Sequence, residues 1–210
     1  IQAAGTAFAA ILEDGSVVTW GNPDCGGDSL AVQDQLRGVQ QIQATHTDFA
    51  AILKDGSVVA WGSWNFGGDS SAVQDQLKNV QQIQASGGAF AAILEDGSVV
   101  TWGDEEYGGD SLAVQAQLRG VQQIQPARNA FAAILEDGSV VTWGNAAFGG
   151  DSSAVQDQLR GVQQIQGANR AVAAILEDGS VVSWGDAEYG GDSSAVQHQL
   201  RGAQQIQASY

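Results

Sequence analysis

Phe8-Ala9-Ala10-Ile11-Leu12-Glu13-Asp14-Gly15-Ser16-Val17-Val18-Thr19-Trp20-Gly21 reads as two extended runs of apolar and β-branched residues on either side of an Asp-Gly turn. Asp-Gly between such runs is among the strongest short hairpin signals, because both residues tolerate the positive φ of tight turns. In the first run Phe8, Ala10 and Leu12 point one way and Ala7, Ala9 and Ile11 the other. Both faces are apolar, so the strand is expected between two neighbouring layers. The stretch returns at Phe49, Phe90, Phe131 and Val172, and Trp20, Trp61, Trp102, Trp143 and Trp184 stand 41 residues apart. A fixed period of this length marks a repeat architecture.

Working outward, the whole chain divides into units 1–41, 42–82, 83–123, 124–164 and 165–205, with 206–208 repeating the Ile-Gln-Ala of 1–3. A third extended segment, 39–44 in the first copy, precedes the next hairpin and is expected to pair with it as an antiparallel meander. As the innermost strand it would bring Gln43, Gln84, Gln125 and Gln166 around a narrow central channel. Residues 28–38 carry a helical pattern. Asp28 or Ser29 can cap its start, Val32 and Leu36 share a face, and Arg37 suits the C-terminal end. Gly38 supplies a left-handed stop, with Asn79, Gly120, Gly161 and Gly202 at the same position. The sequence therefore predicts one domain over residues 1–210, a β-propeller-like closed ring. Each of its five blades has three antiparallel strands and one short α-helix.

Closure is expected because neither end carries the polar cap that an open stack of repeats needs. Gln204 to Ala208 are expected to supply the inner strand to the blade of Phe8 and Trp20, and deletion of residues 203–210 to lower the melting temperature sharply.

The stretch from Phe8 to Gly21, followed by Gly26-Gly27, resembles the repeat of the RCC1 (regulator of chromosome condensation) family: apolar strand, Asp-Gly, Val-containing strand, Trp-Gly and a glycine-rich turn. The resemblance covers the central half of every unit and implies a propeller-type ring. Family members typically have seven longer blades, and their glycine is followed by Gln-Leu-Gly where this chain has Gly27-Asp28-Ser29. Nucleotide exchange on a small GTPase depends in that family on insertions and surface residues outside the repeat. This chain has no such insertions, and no functional residue carries over.

Composition narrows the function. Hydrophobic residues make up 43% and charged ones 15%, as in a packed protein, and 28 glycines point to many turns. A formal charge of -16 disfavours nucleic acid and anionic membrane surfaces as partners. No apolar run approaches the roughly 18 residues that cross a bilayer. The single Cys25 forms no internal disulfide, which favours a cytoplasmic location, and the lack of any methionine points to a trimmed or an excised segment. A monomeric ring is expected. The near-identity of the copies indicates recent amplification or deliberate design.

No catalytic residue, cofactor site or metal site is expected. The only histidines, His46 and His198, lie in different copies and different parts of the unit. Turn and cap roles account for the repeated acids at Asp14 and Asp28. Cys25 stands where other copies have Phe66, Tyr107, Phe148 and Tyr189, a packing position, and the repeated tryptophans suit a core between blades.

Differences between copies gather in two windows. His46, Thr47, Asp48, Arg128, Asn129, Asn169 and Arg170 lie in the first, and Trp64, Asn65, Glu105, Glu106 and Glu188 in the second. Loops on a rigid scaffold are where binding specificity sits; neutral drift at unconstrained positions produces the same pattern. The leading reading is a non-enzymatic scaffold that binds a protein or other ligand through these loops. The alternative is a multivalent glycan-binding propeller, and an RCC1-type regulator of a small GTPase comes after both.

Overall fold

The computed structural model describes residues 1–208. Five antiparallel three-stranded sheets follow one another along the chain. The first comprises β1 (Gln2–Ala3), β2 (Ala7–Ile11) and β3 (Val17–Gly21), and the second β4 (Val39–Ala44), β5 (Asp48–Leu53) and β6 (Val58–Gly62). The third holds β7 (Val80–Ala85), β8 (Ala89–Leu94) and β9 (Val99–Gly103), and the fourth β10 (Val121–Pro126), β11 (Ala130–Leu135) and β12 (Val140–Gly144). The fifth holds β13 (Val162–Gly167), β14 (Ala171–Leu176) and β15 (Val181–Gly185). Each sheet is a blade, and successive inner strands β4, β7, β10 and β13 approach one another.

The hairpins form where the Asp-Gly pairs predict them. Leu12 N–H donates to Ser16 O (2.8 Å) and Gly15 N–H to Leu12 O (2.9 Å). Only the glycine uses positive φ, at 79°. Asp14 contributes through its side chain, whose Oδ1 accepts from the N–H of Ser16 at 2.9 Å and from its hydroxyl at 2.6 Å. The poor alternation of the inner strand has a cause too: pairing slips between Val39 and Gln41, leaving Gln40 as a bulge, and the same slip recurs in the next three blades.

The segment after each outer strand is not a helix. No α-helix occurs among the described residues; 28–38 is a run of turns closed by three-residue bonds, such as Val32 N–H to Ser29 O and Gln35 N–H to Val32 O. Asp28 does cap it, accepting from Leu30 N–H at 2.9 Å, and Gly38 and Asn79 do adopt positive φ at its end. The reason for the turns lies in the sheet. β3 is an edge strand whose outward carbonyls need partners. Gln33 Nε2 donates to Val17 O at 2.9 Å while its Oε1 accepts from Ser29 Oγ, and Gln74, Gln115, Gln156 and Gln197 make the equivalent bond to their own outer strands. Leu36 meanwhile sits in the core, 0% exposed.

The core is made between blades. Four clusters are present among the described residues, each joining the rear of one blade to the front of the next. At the front of blade two, Phe49 stacks on Trp61 with ring centroids 5.2 Å apart, and Trp61 Nε1 donates to Gly26 O of blade one at 3.1 Å. Gly26 has φ 80°, and a Cβ there would lie 2.6 Å from the Phe49 ring. Trp102, Trp143 and Trp184 repeat the bond to Gly67, Gly108 and Gly149.

The five blades do not close on themselves. Phe8 and Trp20 of blade one are 41% and 44% exposed, whereas Phe49 and Trp61 are 0% and 4% exposed. A Cβ at Gly190 of blade five would meet nothing within 4 Å. Residues 204–208 form no strand; the place expected for them on β2 is held by β1, with Gln2 opposite Ala9 and Ala3 opposite Phe8. The two segments share the Ile-Gln-Ala sequence, so β2 selects by distance along the chain, and closing a loop of a few residues costs far less entropy than closing one around the whole molecule. None of the described residues forms a helix long and apolar enough to cross a membrane.

Candidate functional site

Both variable windows lie on one face. The first is the loop from inner to middle strand and the second the loop after the outer strand, and backbone bonds hold them side by side in every blade. Asn22 N–H donates to Thr6 O (3.0 Å), Ser63 to Thr47 (3.4 Å), Asp104 to Gly88 (3.1 Å), Asn145 to Asn129 (2.9 Å) and Asp186 to Arg170 (2.9 Å). Asn22, Asp104, Asn145 and Asp186 also cap a single 3-10 turn with their side chains. Blade two has Ser63 there, and its Trp64 to Phe66 loop is an ordinary turn.

A second set of bonds runs across the blades. Gly5 N–H donates to His46 O (2.8 Å), His46 to Gly87 (3.1 Å), Gly87 to Arg128 (2.7 Å) and Arg128 to Asn169 (3.4 Å). This staircase uses only the main chain, so it persists while the side chains at its steps differ between blades, although a Cβ at Gly87 would lie 2.9 Å from Arg128 O. The five loops surround a pocket of about 650 Å³ whose wall includes His46, Thr47, Phe66, Tyr107, Arg128 and Asn169. Ala3, Ala44 and Ala85, at the ends of the inner strands, line it, and Gln43, Gln84, Gln125 and Gln166 lie half-buried on the strands themselves.

Of the residues singled out in the sequence, His46, Thr47, Arg128 and Asn169 therefore meet at one place. His46 and Arg128 are exposed, and Asn169 Oδ1 is buried without a hydrogen-bond partner. Asp48 does not join them. It is 0% exposed, and its Oδ2 accepts from Thr45 Oγ1 (2.7 Å), Thr47 Oγ1 (3.1 Å) and Gly67 N–H (3.1 Å) while Oδ1 has no partner. Burial pushes its carboxyl above the ordinary range against the pull of those bonds. Asn129 is also buried, its Nδ2 donating to Glu106 O at 3.4 Å. Arg170 is held between the rings of Phe148 and Tyr189, 4.9 Å from each centroid, and pairs with Asp186 at 3.3 Å. Glu105, Glu106 and Glu188 are exposed on the 3-10 turns, and Trp64 (79% exposed) and Asn65 on the turn of blade two.

Phe66 and Tyr107 enter the site although their position reads as packing. Their rings meet edge to face with centroids 6.2 Å apart, and Ser86 Oγ fixes the loop by donating to Tyr107 O at 2.7 Å. The usable signal was the change from Cys25 to aromatic residues immediately beside a variable loop. Cys25 itself packs, half-buried, against the core between blades one and two. Among the described residues no three His, Cys, Asp or Glu side chains cluster as metal ligands would.

No protein-family model matches the chain, and no curated protein matches it. Solved structures match in fold. Prp20p from Saccharomyces cerevisiae, the yeast RCC1, superposes with TM-score 0.57 at 22% identity over 87% of this chain and 56% of its own. Human WBSCR16 gives 0.53 at 16% identity over 87% and 60%, and the CRINKLY WD40 ectodomain of the Arabidopsis thaliana receptor kinase ACR4 gives 0.52 at 18% identity over 87% and 61%. The chain thus spans little more than half the length of these structures. In fold it is an RCC1-like repeat propeller of five blades, with its variable loops gathered at one end.

Proposed function

We propose that the chain is a non-enzymatic binding module that receives a segment of another protein in the pocket where the five loops meet. The observation that carries this reading is the convergence there of variable side chains on an invariant main-chain staircase. Among the described residues, the charged or chargeable side chains in the wall are His46, Tyr107 and Arg128. Arg128 makes the pocket locally basic in a chain of net charge -16, which suits a peptide that presents a carboxylate to Arg128 and an apolar side chain to the rings of Phe66 and Tyr107. Prp20p, described with its binding to Gsp1p and histones, is a propeller of similar fold with protein ligands. The glycan reading of one site per blade is less favoured, because the repeated tryptophans Trp61, Trp102, Trp143 and Trp184 are each 4% exposed and present no open face for a sugar.

A displayed peptide library panned against the protein tests this. Acidic peptides are expected to enrich. Arg128→Gly and His46→Gly, which introduce the residue found at Gly5 and Gly87, should each weaken the selected peptides, Arg128→Gly by about tenfold, the cost of one charge-assisted contact, and His46→Gly by about fivefold, the cost of one neutral hydrogen bond. Enrichment of no peptide, or affinities unchanged in both variants, would overturn the reading.

A further inference from the structure

The same interface is built four times between consecutive blades, and each of its halves stands uncovered once. The front half is free on blade one, where Phe8, Val18 and Trp20 are 41%, 48% and 44% exposed; their counterparts Phe49, Val59 and Trp61 are 0%, 7% and 4% exposed. The rear half is free on blade five. Tyr189 and Val196 are 52% and 45% exposed, and Leu200 is half-buried where Leu36, Leu77, Leu118 and Leu159 are at most 1% exposed. Hydrogen bonding shows the same break. Trp61, Trp102, Trp143 and Trp184 each donate to the glycine carbonyl of the blade before, while Trp20 has no such partner among the described residues and Gly190 has open space where Gly26 meets Phe49.

We infer that the free front of blade one is a docking surface for the free rear of blade five of a second copy of this chain. The internal interfaces show what fits each half. The tryptophan of a front face takes a glycine carbonyl from the rear face. The phenylalanine lies over that glycine, and the valine and leucine of the turn segment complete the core. Blade five retains the glycine, valine and leucine of that set, and blade one the phenylalanine and tryptophan. The contact is head to tail: each chain offers one half to one neighbour and the other half to another, so association either closes into a ring or continues as an open assembly. The surface is separate from the loop pocket, and its test does not depend on any ligand.

Sedimentation velocity over a dilution series is the measurement. The wild-type chain is expected to move from monomer to larger species as concentration rises. Trp20→Asp spoils only the front and Val196→Glu only the rear. Each should weaken self-association by about thirtyfold or more, as loss of a central contact does. Both side chains are exposed in the single chain, so far-ultraviolet dichroism should be unchanged; if Trp20→Asp does not fold, Val18→Asp carries the same test. An equimolar mixture of the front and rear variants keeps one sound half on each partner and should yield a two-chain species and nothing larger. A wild-type chain that stays monomeric at every concentration would overturn the inference. So would variants that assemble normally, or a mixture that fails to pair.

Discussion

Trp102→Ala and Trp20→Ala make the same chemical change at equivalent positions of two blades, and the structure assigns them different costs. Both rings stack on a phenylalanine, at 5.1 Å and 5.2 Å. Trp102 is 4% exposed and donates to Gly67 O at 3.1 Å, whereas Trp20 is 44% exposed. An aromatic side chain buries up to about 250 Å², so the difference in exposure corresponds to ~100 Å², or ~2.5 kcal/mol at 25 cal/mol per Å². The lost hydrogen bond adds ~1 kcal/mol to the Trp102 side. Removing a fully packed tryptophan costs about 3–5 kcal/mol, so Trp102→Ala should fall in that range and Trp20→Ala about 3.5 kcal/mol lower, at roughly 0–1.5 kcal/mol. The assay is equilibrium unfolding in urea, followed by far-ultraviolet dichroism at protein concentrations low enough to keep the chain monomeric. Equal losses in the two variants would refute the reasoning, since they would mean that blade one is as well covered as blade three and that the chain closes on itself.

Four further expectations concern other parts of the fold. Gly108→Ala places a Cβ 2.8 Å from the Phe131 ring and should cost several kcal/mol through clash and backbone strain together, whereas Gly190→Ala, with an open site, should cost only about 1–3 kcal/mol of strain; thermal melts of the two variants compare them. Gln115→Ala leaves Val99 O without its partner at 2.8 Å and should cost ~1–3 kcal/mol, read as a lower unfolding midpoint with faster amide exchange in β9. For pH, Asp14, Asp55, Asp96, Asp137 and Asp178 are held below the ordinary carboxylate range, first by the hydroxyl and then by the N–H of the serine two residues on. Their contribution is present above the unfolded carboxylate pKa and lost as pH falls through the lowered folded values, so changing the five serines to alanine should flatten the acid limb of a melting-temperature profile. Asp48, raised by burial, runs the other way: its contribution is full at acid pH and lost as pH rises through its folded value, so Asp48→Asn should gain relative to wild type between acid and neutral pH in the same profile.

Candidate-site residues were legible in the sequence to the extent that they are variable and lie in loops. That criterion found His46, Arg128 and Asn169, which are steps of a staircase made by the main chain alone, and Thr47 beside it. It also returned Asp48 and Asn129, which differ from their counterparts yet are buried, since variability between copies does not report which way a side chain points. Phe66 and Tyr107 were passed over because an aromatic residue can serve a core and a pocket wall at once.

The repeat, the three strands of each blade, the Asp-Gly hairpins and the tryptophan as an interblade residue were all determined by the sequence alone. They rest on contacts a few residues apart or on a period that the chain displays. The turn segment and the ends were decided by tertiary structure. Residues 28–38 have a helical pattern of apolar side chains, but the unsatisfied edge of the outer strand recruits Gln33 and holds the segment in turns. Identical repeats carry no information about closure, because every blade offers the same two faces. Only the curvature of the assembled sheets decides whether the last rear face reaches the first front face, and here it leaves both uncovered.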